Sequence, residues 1–275
     1  MNTRDPSFAL PDIQSQPDLR ELRIDAVGIK GVRYPVTIRA GAGQQATVAS
    51  FSMTVGLAAQ VKGTHMSRFI ELLEAQLGPL GQAGFMALLD AMLERLDAGS
   101  GAIEMRFPWF VRKSAPVSAV SSLLDHAVCW RAERAADGRR SMRMQVTVAA
   151  TSLCPCSKEI SQYGAHNQRS HITIDAELAG EMPIEALVDI AERSASCEVF
   201  GLLKRADEKY VTERAYDNPK FVEDLVRDVA LALEREPRVR SYTVEAENFE
   251  SIHNHSAFAR IVKAAAAAST AEGVQ

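Results

Sequence analysis

The densest chemistry in the chain lies in SLCPCSKEISQYGAHNQRSH, residues 152–171. Cys154 and Cys156 flank a proline, too close together for an unstrained mutual disulfide. His166 follows in a stretch rich in Ser, Gly, Asn and Gln. Two thiols ahead of an imidazole suit soft metal ligation or a reactive thiolate. Free cysteines also serve as buried apolar packers, and the C-x-x-C spacing of many zinc sites is absent, so the residues alone leave both readings open.

Three further stretches carry reactive side chains. In SIHNHSAF, residues 251–258, His253 and His255 stand two apart and share a face if the segment is extended. Such a pair suits metal binding, proton transfer or an anion clamp, or it is an ordinary solvated pair. RADEKYVTERAYDNPKFVEDLV, residues 205–226, supplies Asp207, Glu208, Glu213, Asp217, Glu223 and Asp224. Most acidic residues are surface charges, and composition does not choose among these six; Glu223, for one, could simply pair with Arg227 at i+4 on a solvated helix. In VKGTHMSRF, residues 61–69, Lys62, His65 and Arg68 surround a Gly-Thr turn at a strand-to-helix junction, a plausible phosphate seat. It lacks the G-x-x-x-x-G-K-[ST] spacing of a P-loop.

These residues need a scaffold, and the patterning supplies one twice. Residues 31–39 and 46–61 are rich in β-branched side chains and read as strands. Residues 67–78 and 85–98 carry apolar positions at helical spacing, and 101–113 and 120–134 return to strand patterning. The second half repeats the order: strands over 141–152 and 170–180, then a helix over 183–196 with Pro183 in its first turn. Next come a helix over 217–236 with Asn218 as cap and Pro219 just inside, and strands over 239–250 and 256–264. The expectation is therefore an α+β fold of two ββααββ units, 21–137 and 138–267, with antiparallel sheets and helices on one face. The ends, 1–20 and 268–275, read as mobile tails. Open sheet edges would favour association with other chains.

With 47% hydrophobic and 24% charged residues and a net charge of -4, the 275-residue chain has an ordinary globular balance. No global charge points to nucleic acid or an anionic membrane. No apolar stretch reaches the length of a membrane helix, and the first residues lack the apolar core of a signal peptide. With four cysteines and no such signal, a cytoplasmic, reducing location is expected.

KGTHMSRF, SLCPCSKEISQYGAHNQRSH, DEKYVTERAYDNPKFVEDLVRD and ENFESIHNHSAF, in that order, resemble the type IB GTP cyclohydrolase family of prokaryotes. The resemblance implies a tunnelling fold of two ββααββ units per chain and a homotetramer with active sites at unit interfaces. It implies conversion of GTP and water to 7,8-dihydroneopterin triphosphate and formate, the entry to tetrahydrofolate synthesis. Carried over by position, the ligands of a divalent metal (zinc, manganese or iron(II)) fall on Cys154, His166 and Glu208, with Cys156 an alternate ligand or a support beside the ligands. Glu223 would anchor guanine, His253 and His255 would act near the reacting ring or the phosphates, and Lys62, His65 and Arg68 would hold the triphosphate of a GTP bound at a neighbouring unit's interface. Two other readings fit the same residues: a nitrile reductase of this fold with a cysteine nucleophile and NADPH, or a non-enzymatic metal-binding protein.

Overall fold

Alternating burial along the long strands shows why they form a sheet with one covered face. In Arg140–Leu153 the side chains of Met142, Met144, Val146, Val148 and Ala150 are buried, and the residues between them are not. The same period of two runs through Gly101–Ser114, Ser121–Arg134 and Asn167–Leu178. In a computed structural model, residues 14–264 are described except 15, 42 and 77. The elements are β1 (Ile24–Ala40), β2 (Gly43–Leu57), α1 (Ser67–Ala75), α2 (Gln82–Arg95), β3 (Gly101–Ser114), β4 (Ser121–Arg134) and β5 (Arg140–Leu153). They continue with α3 (Pro155–Ile160), β6 (Asn167–Leu178), α4 (Ile184–Ser194), β7 (Cys197–Glu198), α5 (Arg205–Asp217), α6 (Val222–Glu234), β8 (Val239–Asn248) and β9 (Ala257–Lys263).

The strands join in one nine-stranded antiparallel sheet in the order β1-β2-β3-β4-β5-β6-β8-β9, with β7 pairing β5 off that path. The ββααββ order occurs twice, as expected, but the halves share a sheet rather than holding one each. They also share one core. Met53, Phe69, Phe85 and Trp130 from the first half join Val146, Ile174, Leu187 and Leu225 from the second in a continuous buried cluster. Helices α1, α2, α4 and α6 pack on the sheet against β1, β3–β4, β5–β6 and β8–β9. Gln82 ties the halves further: its Nε2 donates to the Met182 carbonyl at 2.6 Å and its Oε1 accepts from the Met182 N–H at 3.0 Å.

The second half carries elements the patterning does not announce. A short helix, α3, fills part of the Cys154–His166 connection, and α5 covers most of the acidic stretch. Asn218 therefore does not cap α6. It ends α5, and its Nδ2 donates to the carbonyls of Ala195 and Ser196 at 2.9 and 3.2 Å. Phe221 precedes the first turn of α6, so Pro219 lies outside that helix, and Pro183 sits one residue before α4 rather than within it.

The β4–β5 pairing stops at Ala127–Thr147. Beyond it β7 takes the freed edge of β5 at Ala150 and Thr151, and the chain at Gly201 runs close beside Ser122 and Leu123 of β4. A Cβ at Gly201 would come within 2.8 Å of the Leu123 carbonyl oxygen, so only glycine fits there. Of the expected tails, residues 1–13 and 265–275 lie outside the described residues. Gln14 and Asp18 are docked: Gln14 Nε2 donates to the Thr64 carbonyl at 3.0 Å and the Asp18 N–H to the Gln60 carbonyl at 2.9 Å.

Candidate functional site

Antiparallel strands gather the chain's connections at two ends, and one end collects most of the reactive residues. The ends of β5 and β6 meet there in the turn from Cys154 to His166. The Cys154 N–H donates to the His166 carbonyl at 3.1 Å. Ser157 locks the turn: its N–H donates to Cys154 Sγ at 3.5 Å, and its hydroxyl oxygen takes the His166 N–H at 3.2 Å. Pro155 at the start of α3 costs no hydrogen bond, because that N–H would have no helical partner. Thiol and imidazole thus leave adjacent, hydrogen-bonded backbone positions.

The His166 ring is held as well. Its Nδ1 lies 3.0 Å from Gln168 Oε1 and 3.5 Å from Ser251 Oγ. Ser251 belongs to the β8–β9 connection, which carries His253 and His255 and so comes to the same end of the sheet. Those two rings stack with centroids 5.0 Å apart and planes inclined by 18°. Beneath the turn, the three strands that carry these loops are pinned by a buried polar network. Ser170 Oγ lies 2.7 Å from Ser152 Oγ and 2.6 Å from Asn248 Oδ1. All three residues are buried, so their mutual hydrogen bonds meet the cost of burying them.

Two hydrogen bonds to the Leu153 backbone tie the α4–β7 and α5–α6 connections to this end. The Leu153 N–H donates to Ser196 Oγ at 3.2 Å, and the Leu153 carbonyl accepts from the Lys220 N–H at 3.0 Å. Glu223 follows in the first exposed turn of α6. Arg227 reaches Asp224, at 3.4 Å, and not Glu223, so the i+4 ion pair that would make Glu223 a plain surface residue is not formed.

Asp207 and Glu208, neighbours in sequence, divide sharply in structure. Asp207 is fully buried and accepts from the N–H groups of Val117, Ser118 and Lys204 at 2.8 Å each, and from Ser118 Oγ at 2.6 Å. Burial alone would raise its pKa, but those donors, Ser118 foremost, hold it below the usual carboxylate range. It clamps the first turn of α5 to the β3–β4 hairpin. Glu208 is exposed on the same turn.

The four cysteines are free thiols and fall into two kinds. Cys129 and Cys197 are buried, and burial pushes each thiol up to about 11, which leaves them neutral and inert. Cys154 is half-buried and Cys156 exposed. Cys154 and His166 fit two positions of a transition-metal site: a soft sulfur and an imidazole whose Nδ1 is already engaged. Among the described residues of one chain, no three His, Cys, Asp or Glu side chains converge as a metal cage, so Glu208 is not brought into contact with that pair.

Lys62, His65 and Arg68 lie elsewhere. They follow the end of β2 at Leu57, which shares its strand end with Gly101, Arg134 and Arg140, opposite to Leu153. The 14 residues of β4 span the gap, roughly 45 Å at about 3.3 Å per residue. One bound nucleoside triphosphate cannot touch both groups within one chain. Lys62 Nζ is directed to Gln16 Oε1 at 3.3 Å, and Arg68 Nη1 donates to the Arg95 carbonyl at 3.2 Å.

Gln168, Ser157, Ser251, and the set Ser152, Ser170 and Asn248 were not singled out from sequence. The one available signal was the i, i+2 spacing of His166 and Gln168 at the head of a strand.

Comparison with known proteins adds an independent line. Residues 10–259 match the family model "Type I GTP cyclohydrolase folE2". The chain is 60% identical over 261 residues to GTP cyclohydrolase FolE2 2 of Cupriavidus metallidurans, covering 95% of this chain and 97% of that one. It is 60% identical over 253 residues to GTP cyclohydrolase FolE2 1 of Dechloromonas aromatica, covering 92% and 95%. Among solved structures, uricase from Arthrobacter globiformis aligns with a TM-score of 0.50 at 10% identity, over 86% of this chain and 92% of that chain. A hyper-thermostable AgUricase mutant aligns at 0.51 and 9% identity, over 90% and 94%. At that identity the likeness concerns the fold alone, which is the tunnelling fold.

Proposed function

The chain belongs to the type I GTP cyclohydrolase FolE2 family, and from that premise we propose how its residues divide the work of a GTP cyclohydrolase. The enzyme converts GTP and water to 7,8-dihydroneopterin triphosphate and formate, the first step of tetrahydrofolate biosynthesis. The finer reading is the prokaryotic type IB subclass acting in the cytoplasm; no helix among the described residues is long and apolar enough to cross a membrane. The observation that carries the site assignment is the pairing of Cys154 with His166 across one hydrogen-bonded turn. A nitrile reductase would need a thiol free to attack substrate, and a passive metal-binding protein would need no guanine anchor; family membership favours neither.

Cys154 and His166, with Cys156 as an alternate, would hold a divalent ion: zinc, manganese or iron(II); Glu208 would serve as third donor only after its turn of α5 moves to meet them. Such an ion, when bound, supplies Lewis-acid polarisation and an acidified water. Glu223 would accept hydrogen bonds from guanine N1–H and the 2-amino group side by side, a pattern adenine cannot offer. His253 and His255 would deliver the proton to the ring nitrogen that departs when the C8–N bond opens. Lys62, His65 and Arg68 would bind the triphosphate only of a nucleotide seated on a neighbouring copy. That geometry supports a homotetramer built from the units 21–137 and 138–267, with sites completed between chains.

The test is metal content and turnover of Cys154→Ala and His166→Ala. Each variant is expected to lose tight metal binding and formate release together. Stoichiometric metal in either purified variant would remove that residue from the ligand set.

A further inference from the structure

The backbone of His166 is fixed on both sides, by the Cys154 N–H on its carbonyl and Ser157 Oγ on its N–H. Only the ring's two torsions and its proton remain to be set. Gln168 sits two residues along the same extended segment, on the same face as His166. It is buried, 8% exposed, opposite Ser152 in the β5–β6 register. Its amide oxygen stands 3.0 Å from His166 Nδ1, a full hydrogen bond, while Ser251 Oγ, at 3.5 Å, stands at the limit.

We propose that Gln168 is a positioning residue: its Oε1 accepts from His166 Nδ1–H and so leaves Nε2 as the nitrogen with a free lone pair. A neutral imidazole carries one ring proton, and the acceptor beside one nitrogen decides where it resides. A ring held that way also loses little freedom when a ligand engages Nε2. This deepens the reading of His166 as a metal ligand and rests on it for its purpose, though not for its geometry.

The experiment uses metal-free full-length protein labelled with nitrogen-15 at histidine, with the His166 signals assigned by their loss in His166→Gln. The wild type is expected to carry the proton on Nδ1 and a bare Nε2. Gln168→Leu should lose that preference, and Gln168→Glu, which keeps an oxygen facing Nδ1, should restore it. Zinc(II) affinity, measured by competition with a chromophoric chelator, should fall about 10- to 100-fold in Gln168→Leu and recover in Gln168→Glu. A proton on Nε2 in the wild type overturns the proposal, as does an unchanged tautomer and zinc affinity in Gln168→Leu. The wild-type spectrum decides alone if that variant fails to fold. An Nδ1 proton in a wild type that binds no zinc would uphold the positioning role and retire His166 as a ligand.

Discussion

Glu223 separates a substrate anchor from a solvated helix residue. As an anchor, its carboxylate accepts twice from guanine; replacing it by an amide puts a donor against N1–H or the 2-amino group. Loss of a charged hydrogen bond is worth about 1.5–3 kcal/mol, with more for the partner left unpaired. Glu223→Gln is therefore expected to lose most GTP turnover while keeping its metal and its melting temperature. Near-normal steady-state turnover by a folded, metal-loaded variant would take Glu223 out of the site. At this scale the sequence draws attention to clusters of unusual residue types, such as Cys154, His166, His253 and His255, whose loops the fold gathers at one end of the sheet. It was silent where common residues act by position. Asp207 and Glu208 look alike in a run of six acids, and only the fold makes one a four-donor clamp and the other an exposed side chain.

The elements were legible in proportion to their apolar stripe. The long strands and α1, α2, α4 and α6 bury regular faces, and the patterning located them. Helix α5 buries only Asp207 and Ala215, and α3 buries nothing, so neither has a stripe to read. The departure of β4 from β5 was equally hidden, and it has a measurable consequence. His126 lies next to the last residue of β4 paired with β5, 2% exposed, with neither ring nitrogen in a well-formed hydrogen bond and only a weak approach to the Thr147 backbone. Burial, helped by the nearby Lys113 cation, depresses its pKa from 6.5 to about 4. The unfolded chain then binds the proton more readily than the folded one between those values. Stability should be unaffected by this group above pH 6.5 and should decline as pH falls from about 6.5 toward 4, by roughly 3 kcal/mol in all. Urea midpoints at fixed protein concentration across that window are expected to fall in the wild type and to fall less in His126→Leu. Parallel curves for the two proteins would contradict the assignment.

For the whole molecule, the sheet of the described residues ends at β1, whose outer side meets Leu80 near Ile38, and at β9, and such strand edges invite pairing with other chains. The separation of Lys62, His65 and Arg68 from Cys154 and His166 points the same way, since neither group alone suffices for a nucleoside triphosphate. Light scattering at micromolar concentration is expected to give four times the 30.0 kDa chain mass. A 30.0 kDa particle would leave those cations without a role in the site. The repeated ββααββ order was readable from sequence because it rests on periodicity. The fusion of both halves into one sheet was not, because it depends on which strand edges meet, as at β4–β5, and no local pattern encodes that.

The proposed dependence of this GTP cyclohydrolase on a divalent ion held at Cys154 and His166 is open to a direct test. The most direct measurement follows formate and a fluorescent pterin, after oxidation, from GTP supplied to chelator-stripped protein, before and after adding back zinc, manganese or iron(II). Stripped protein is expected to give no product, and restored protein equal molar formate and pterin, with little reaction from ATP. Full turnover by metal-free protein would contradict the metal assignment, and no formate from GTP under any metal would contradict the activity.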